Sequence, residues 1–293
     1  MRIDLHSHST ASDGSKRPAE VIGLGVEWAE KNKEPVVMAL TDHDTVAGVA
    51  EFLGEASKYP GQVTAVPGIE FSTFIELEDG REQTMHMLGY FIDHDDPVLL
   101  EKLEKYRQDR ESRNTRVIEK LNRHGFRISA GDIEPLTPGA SVGRPAIASH
   151  MVKMGYVSSV KEAFKKYLGR GKLCYAERIR PQVRDVISLI HASGGIAVLA
   201  HPKLYDKLDH EALDKLISDL CSMGLDGLEV YYSRNDPEDT AYYHSLAEKY
   251  HLRVTGGSDF HGTVKPDIEL FRGTGNLHVP VSVLESLKDQ GDL

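Results

Sequence analysis

The sequence predicts an α/β fold that is interrupted by a mainly helical insert. Two stretches, residues 1–93 and the chain from Val183 onward, alternate short apolar runs with amphipathic segments, which is the pattern of βα units around a parallel sheet. Between them the pattern changes to long polar helical segments. With 293 residues, 40% of them hydrophobic and 27% charged, the chain has the composition of an ordinary globular protein.

The first stretch carries four predicted strands and the helices that connect them. Pro18 is expected to open the first helix, because the first turn of a helix tolerates the missing N–H of proline. Asp44 or Thr45 is expected to cap the next helix. The strands are expected at residues 2–5, 36–41, 63–69 and 85–91.

Residues 95–180 are predicted to form the inserted helical subdomain. Asp96-Pro97 starts a long polar helix, which Gly125 closes, and a basic turn follows at residues 165–172. After the insert a helix through His191 and three more strands are predicted, at residues 196–200, 227–231 and 253–255. The two segments that would together form one catalytic domain are residues 1–94 and 181–293.

The charge balance restricts the partners of the chain. A formal net charge of -10 argues against a surface that coats nucleic acid or binds an anionic membrane, since both depend on excess Lys and Arg. It does not exclude a small anionic substrate, because bound divalent ions would make the site locally positive. We therefore expect neither a stable nucleic-acid complex nor a membrane partner.

The cysteine content and the N-terminal sequence predict a cytoplasmic protein. Two cysteines, Cys174 and Cys221, cannot supply a disulfide framework or a zinc site built from thiolates. The chain runs from Met1 directly into its first strand without a secretory leader. It contains no apolar run approaching about 18 residues, the length that a membrane span needs.

Six histidines and three carboxylates form the pattern of a multinuclear metal site. His6 and His8 are two residues apart, which places both side chains on one side of an extended strand. Most of the set follows directly after predicted strands, and the carboxyl ends of parallel strands meet at one edge. His86 is an exception, because it lies within its strand. The full set is His6, His8, Asp13, His43, Glu70, His86, His201, Asp259 and His261.

Each of these residues also has a plainer interpretation. A single histidine at a strand end is more often a hydrogen-bonded structural residue than a ligand, and Asp13 before Gly14 is a typical turn residue. The joint pattern favours metal binding. Imidazole and carboxylate ligands without thiolate suit Mn, Fe or Zn better than a closed structural zinc site.

At these residues the sequence resembles the PHP (polymerase and histidinol phosphatase) family, in particular its stand-alone phosphoesterase branch. The resemblance covers nearly the whole chain and implies a distorted seven-stranded (β/α) barrel with three divalent metal ions. The motifs that carry it are Asp4-Leu5-His6-Ser7-His8, Ser12-Asp13-Gly14, Thr41-Asp42-His43-Asp44, Pro67-Gly68-Ile69-Glu70, His86-Met87-Leu88-Gly89-Tyr90, Ala200-His201-Pro202 and Gly257-Ser258-Asp259-Phe260-His261.

The resemblance also implies which residue holds which metal. Glu70 would bridge the first two metals, and many family members carry histidine at the position of Asp13. The implied sets are His6, His8, Glu70 and Asp259 for the first metal, Glu70, His86 and His201 for the second, and Asp13, His43 and His261 for the third.

The expected reaction is hydrolysis of a phosphate monoester by a metal-bridging hydroxide, with Glu70, His6 and His201 in catalytic roles. The expected substrate is a small nucleotide, either a nucleoside monophosphate or a 3′,5′-bisphosphate. Within the same family, a 5′→3′ exonuclease acting on short RNA or DNA is the main alternative, and a histidinol phosphate phosphatase is another. A non-catalytic metal-binding regulatory module is the alternative from a different class.

The insert supplies cationic candidates for binding the substrate phosphate. Arg144 leads them, because the resemblance places a matching arginine facing the pocket, although it can also be a surface charge at a helix start. Arginines also recur along the long helix at three-residue steps, but each step falls about 60° short of a full turn, so they form no continuous stripe. The other phosphate-binding candidates, which can equally lie in a solvated loop, are Lys166, Arg170 and Lys172.

Overall fold

A computed structural model of the chain describes residues 1–78, 80–134, 143–177, 180–205 and 208–287. The chain divides into two compact units. The first contains Met1–Leu100 and Pro181–Leu293, and the second contains Glu101–Arg180. Two parts of the predicted insert, residues 135–142 and 178–179, lie outside the described residues.

The first unit is built on one seven-stranded sheet in the order β1 to β7, which confirms the predicted α/β class. Neighbouring strands are parallel except that β4 is antiparallel to both β3 and β5. The first and last strands also meet, since Leu5 N donates a hydrogen bond to Gly256 O at 3.1 Å. The strands are β1 Arg2–Asp4, β2 Val36–Leu40, β3 Val63–Glu76, β4 Glu82–Tyr90, β5 Ile196–Leu199, β6 Gly227–Tyr232 and β7 Arg253–Gly257.

Helices connect most of the strands and also form the second unit. Within the described ranges, three short 3₁₀ turns and one π-helical turn accompany them, at Ala130–Asp132, Pro202–Leu204, Gly262–Val264 and Phe164–Leu168. The helices are α1 Pro18–Asn32, α2 Val49–Ala56, α3 Pro97–Arg123, α4 Arg144–Lys153, α5 Val160–Ala163, α6 Val183–Ala192, α7 His210–Ser222, α8 Pro237–Lys249 and α9 Ser282–Glu285. None of the helices in the described ranges is long and apolar enough to cross a membrane.

The alternation of side chains along β2 explains why its whole length is apolar. Val37 and Ala39 point into one core cluster, where they meet Ile3, Leu5 and Leu88. Their neighbours in β2 point to the other face, where they pack against α1 and α2. A parallel strand covered on both faces needs apolar residues at every position, because successive side chains alternate between the faces.

The start of α1 agrees with the prediction, and the start of α2 does not. Pro18 is the first residue of α1, and the Glu20 carboxylate accepts a hydrogen bond from the Arg17 N–H at 2.7 Å. The predicted caps Asp44 and Thr45 are wrong, because α2 begins only at Val49. The Asp44 carboxylate instead accepts from the backbone of β3, and the Thr45 hydroxyl accepts from Ala47 N within the loop.

Strand β3 is twice as long as its predicted seven residues, running through all 14 residues of Val63–Glu76. Its second half pairs with β4 as an antiparallel hairpin, with Ser72 opposite His86. The predicted strand ended at Ile69, although the aromatic and β-branched residues that follow Glu70 have strand character. Glu70 therefore lies in the middle of a strand, and a buried acid at such a place indicates a specific partner.

The second unit has its own apolar core, to which α3 and α4 contribute Leu121, Ile147 and Met151. The arginines of α3 differ in their surroundings. Arg107 is exposed and forms ion pairs with Glu104 and Glu111, as expected for a solvated helix. Arg113, by contrast, is buried, with 6% exposure.

Gly257 ends β7 at a place where no side chain fits. A Cβ atom there would lie 2.4 Å from both the backbone N and the Cβ of His6. We expect Gly257→Ala to lower the free energy of unfolding by about 3 kcal/mol, since rigid backbone would have to move. Gly54→Ala is the control, because its Cβ would meet nothing within 4 Å on the exposed face of α2, and it is expected to add about 0.5–1 kcal/mol to the free energy of unfolding. Urea unfolding measures both, and equal stability of the two variants would contradict the expectation.

Candidate metal centre

The segments that follow β1 and β7 run beside each other and carry four of the predicted ligands. Asp259 N donates to His6 O at 2.8 Å, and His8 N donates to Phe260 O at 2.8 Å. This pairing continues beyond the regular strands, so His6, His8, Asp259 and His261 are brought together. Each of these side chains is at least 95% buried.

Glu70 lies among five imidazoles, and both of its carboxylate oxygens face ring nitrogens. Oε1 is 2.8 Å from Nδ1 of His86 and 2.8 Å from Nε2 of His201. Oε2 is 3.0, 3.2 and 3.4 Å from ring nitrogens of, in turn, His43, His8 and His6. One carboxylate can therefore serve as a shared ligand for more than one metal.

Asp13 gathers a second group at the exposed side of the site. Its Oδ1 lies 3.3 Å from Nε2 of His261 and 3.7 Å from Nδ1 of His8, and its Oδ2 lies 3.8 Å from Nε2 of His43. Asp13 is 44% exposed, while most of the other members are buried. Solvent and substrate can therefore approach from this side.

All nine predicted ligands lie in this one constellation, but their groups overlap. His8 uses its two ring nitrogens in different directions, Nε2 toward Glu70 and Nδ1 toward Asp13. His43 is likewise close to both carboxylates. Three sets have ligand atoms within 4.8 Å of one another: His6, His8 and Glu70; His43, Glu70 and His86; and His8, Asp13, His43 and His261.

Several buried polar atoms that face one another here lack a hydrogen-bond partner among the described residues. They are His6 Nε2, both ring nitrogens of His8, His43 Nδ1 and Glu70 Oε2. Buried polar groups are nearly always paired in native proteins, so a cluster of orphaned ones indicates a missing ion. Divalent cations fit this donor set of imidazole nitrogens and carboxylate oxygens.

The electrostatics of the site prepare it for cations. Burial by itself would raise the pKa of Glu70, but His43, His86 and His6 hold that pKa well below its usual range. Burial, opposed by Glu70, lowers the pKa of His43 to about 3. Burial also acts to lower the pKa of His8, but the nearby carboxylates of Asp259 and Glu70 raise it to about 9. The carboxylates are thus ionised and His43 neutral at pH 7, while a metal at His8 has to displace a proton.

No protein-family model matches the chain. The 5′-3′ exoribonuclease Rnm of Escherichia coli is 34% identical over 269 residues, 92% of this chain and 88% of its own. The 3′,5′-nucleoside bisphosphate phosphatase of Chromobacterium violaceum is 31% identical over 268 residues, 88% of this chain and 87% of its own. The chain belongs to the PHP family of metal-dependent phosphoesterases. It is a hydrolase that acts on phosphoester bonds.

Solved structures agree with this PHP assignment. An amidohydrolase of Chromobacterium violaceum, solved with bound sulfate and no metal, aligns over 99% of this chain and 97% of its own, with a TM-score of 0.77 and 29% identity. A candidate metal-dependent phosphoesterase of Bifidobacterium adolescentis aligns over 99% and 96%, with a TM-score of 0.72 and 28% identity.

The PHP site also contains buried residues that sequence reasoning missed. Glu229, in the middle of β6, lies 2.8 Å from His6 Nδ1 through its Oε1. Asp42 accepts hydrogen bonds from the backbone and hydroxyl of Ser9 and from the Ser12 hydroxyl, which fixes the loop that carries Asp13. Glu229 had a sequence signal, because an acid inside the apolar run Gly227–Tyr232 must have a partner.

Asp259 presents only one oxygen to the PHP site. Its Oδ2 accepts from the ammonium of Lys265 at 2.7 Å and from the hydroxyl of Tyr232 at 3.2 Å. Its Oδ1 faces the ring nitrogens of His6 and His8 at 3.7 and 3.4 Å. Lys265 and Tyr232 therefore orient the carboxylate so that Oδ1 is available to a metal.

We expect Lys265→Met to weaken metal binding about tenfold, because one partly exposed charge-assisted hydrogen bond is lost. Lys249→Met is the matched control, since that ammonium pairs with Asp214 at 2.7 Å on the helical surface. Titration of metal-free protein with zinc measures both. An unchanged affinity in the Lys265 variant would show that Asp259 does not depend on its ammonium.

The predicted phosphate-binding residues belong to the second unit. The Arg144 guanidinium lies over the rings of Tyr175 and Phe164, 5.3 and 5.9 Å from their centroids, and donates to Leu168 O at 3.2 Å. Lys166 is exposed and pairs with Glu162 at 2.6 Å. Arg170 and Lys172 are exposed as well. Their part in substrate binding stays a prediction.

Proposed function

We propose that this PHP protein hydrolyses phosphate monoesters of small nucleotides, either a nucleoside monophosphate or a 3′,5′-bisphosphate. The observation that carries the proposal is the position of Glu70, whose two oxygens reach five imidazoles at the middle of a dense donor cluster. The similarity to a 3′,5′-nucleoside bisphosphate phosphatase supports this substrate class. The solved relative with bound sulfate, a tetrahedral dianion, agrees with a phosphate ligand.

The proposal includes three divalent ions, Mn, Fe or Zn, held by the nine predicted ligands. When bound, such ions supply a water of lowered pKa and positive charge for the phosphoryl oxygens. The first ion would use His6, His8, Glu70 and Asp259, and the second Glu70, His86 and His201. The third would use Asp13, His43 and His261, and the position of His8 Nδ1 adds a further donor there. The barrel form implied by the PHP family belongs to the same proposal, supported by the pairing of Ser7 with Phe260.

The residues of the chain itself supply negative charge, hold the histidine rings in position and keep the carboxylates shielded from solvent. Glu70 and Asp259 provide fixed negative charge at less than 6% exposure, which strengthens their attraction for cations. His6 and His201, the other proposed catalytic residues, hold their rings against Glu70. The half-exposed Asp13 lies at the side from which a phosphorylated substrate can enter. No nucleophile from the protein is required in this scheme.

We also propose that the inserted unit binds the substrate, with Arg144 as the leading phosphate contact and Lys166, Arg170 and Lys172 as further ones. The Tyr175 and Phe164 rings hold the Arg144 guanidinium in place, which lowers the entropy cost of phosphate binding. Arg144→Ala is expected to raise KM for a nucleotide about tenfold, with a smaller change in kcat. Lys153→Ala, on the same helix, is the control, and equal KM values would remove Arg144 from the site.

A 5′→3′ exonuclease acting on short RNA is the second candidate function. It is favoured by the similarity to an exoribonuclease, since the 34% identity to that protein exceeds the 31% identity to the phosphatase. Removal of a terminal nucleotide uses the same in-line attack on phosphorus, so the metal centre alone does not separate the two candidates.

The deciding experiment measures products from a panel of AMP, 3′,5′-bisphosphoadenosine, histidinol phosphate and short 5′-phosphorylated RNA. Protein reconstituted with Mn is compared with a His6→Ala variant. Phosphate release from a mononucleotide, absent in the variant, supports the phosphatase. Mononucleotide release chiefly from the RNA would replace it by the exonuclease, and inactivity of metal-loaded protein on the whole panel would favour a non-catalytic module.

A further inference from the structure

Glu229 is a fully buried acid that divides its two oxygens between two predicted ligands. The side chain has 0% exposure and lies on β6 next to a bulge, opposite Thr255 of β7. Oε1 is 2.8 Å from the ring nitrogen Nδ1 of His6, and Oε2 accepts from the backbone N–H of His201 at 2.7 Å. A bulge beside a functional site commonly serves to aim one side chain.

The contact with His6 decides which of its nitrogens can bind a metal. Glu229 Oε1 lies at hydrogen-bond distance from His6 Nδ1, and a carboxylate oxygen accepts there, so Nδ1 is the nitrogen that donates. Nε2 is then the nitrogen left for a metal, and it faces Glu70 Oε2 at 3.4 Å and Asp259 Oδ1 at 3.7 Å. Histidines that bind metals usually donate their second N–H to such a partner, which fixes the tautomer and the ring orientation.

The contact with His201 acts on the backbone. His201 has φ 27° and ψ 63°, a left-handed conformation that is costly for a residue with a side chain. The hydrogen bond from its N–H to Glu229 offsets part of this cost. The same conformation directs the His201 ring toward Glu70 Oε1, 2.8 Å away.

We propose that Glu229 is a positioning residue that sets the tautomer of His6 and the backbone of His201, and so couples two ligands that face different oxygens of Glu70. The inference rests on the proposed metal centre. It does not depend on the identity of the substrate, because Glu229 is not itself placed against substrate or metal.

Glu229→Gln tests this with almost no change of volume. The His201 N–H can only donate, so the amide oxygen has to face it, and the amide NH₂ then faces His6 Nδ1. His6 has to accept at Nδ1 and carry its proton on Nε2, where a metal would bind. A metal at Nε2 would leave two donors facing each other. The wrong tautomer, rather than a lost shape, is the expected defect.

Asp226→Asn is the matched control. Asp226 lies three residues earlier, and its Oδ2 also joins a backbone N–H to an imidazole, accepting from Ala197 N at 2.8 Å and lying 2.7 Å from His191 Nε2. His191 is not a predicted ligand. The Asp226 side chain is 29% exposed, so the control reproduces the loss of a carboxylate that bridges a histidine and a strand, at a more exposed place than Glu229.

The experiment titrates the metal-free full chain with zinc and follows the histidine rings by ¹⁵N NMR. Glu229→Gln is expected to bind zinc about 10–100-fold more weakly than the wild type, whereas Asp226→Asn is expected to bind it as the wild type does. Equal weakening in both variants, or in neither, would overturn the inference. Absence of zinc binding by the wild-type chain would also overturn the inference.

Zinc-loaded wild type gives a test that does not require the variant to fold. Its His6 ring is expected to show a protonated Nδ1 and a zinc-bound Nε2, and the opposite arrangement would overturn the inference. Hydrolysis of the nucleotide panel is measured on the same samples. Absence of hydrolysis overturns only the proposed function, since the ratio of zinc affinities is obtained without substrate.

Discussion

Glu70→Gln is expected to lower kcat/KM for the best phosphoester substrate by about three to four orders of magnitude. Both oxygens of Glu70 face ring nitrogens, and the nearest, on His86 and His201, lie at 2.8 Å. Glutamine keeps the volume but removes the charge and one acceptor oxygen, so the proposed ligand shared between two metals is lost. Several kcal/mol of charge stabilisation corresponds to a factor of this size.

Steady-state kinetics with metal content measured on each sample checks this expectation. Glu34→Gln is the control, because its carboxylate accepts from the Trp28 indole N–H at 3.1 Å at the surface. The control is expected to keep wild-type kinetics. A Glu70 variant with activity within tenfold of the wild type, at the same metal content, would show that Glu70 is not a shared ligand.

Removal of metal by a strong chelator is expected to abolish hydrolysis and to lower the melting temperature. The reason for the lower stability is linkage, because an ion that binds only the folded chain at 100 times its Kd adds about 2.7 kcal/mol to the free energy of unfolding. The buried donors His6 Nε2, His8 Nδ1 and Glu70 Oε2 lose their partner at the same time. Adding back Mn, Fe or Zn is expected to restore both properties.

Thermal unfolding and phosphate release, measured on the same stripped and reloaded samples, check this second expectation. Magnesium serves as the comparison ion, because it prefers an octahedron of oxygen ligands over imidazole nitrogen. It is expected to restore less stability than zinc. Full hydrolysis by protein with almost no bound metal would contradict metal dependence at this site.

The sequence alone was sufficient for much of the candidate site. Histidines and acids that directly follow apolar runs, such as His6, His201 and Asp259, could be assigned to one edge because parallel strands share the direction of their carboxyl ends. The α/β class followed from the alternation of short apolar runs with amphipathic segments along the chain. The spacing of apolar residues and the direction of each strand are local properties, so residues far apart in the chain could be placed together without coordinates.

Strand boundaries and the contacts that support polar side chains depend on residues distant in the sequence, so they could not be predicted. The antiparallel direction of β4 depends on the hairpin with β3, and the predicted strand did not include the residues of β3 beyond Ile69. Arg113 is buried although its helix is polar in sequence. Each of these features depends on which distant group compensates a polar side chain, and nothing in the neighbouring sequence specifies that group.

The sequence by itself therefore determined the α/β class and the phosphoester chemistry, and it predicted the set of donor residues that the structure brings together. Only the tertiary structure decided which nitrogen of each imidazole faces which carboxylate and what holds those rings in place. Glu229 contacts His6 across 223 positions of sequence, and Lys265 orients Asp259 from a separate turn. The physical reason is that metal affinity depends on the direction of lone pairs, and packing and hydrogen bonds between distant segments set that direction.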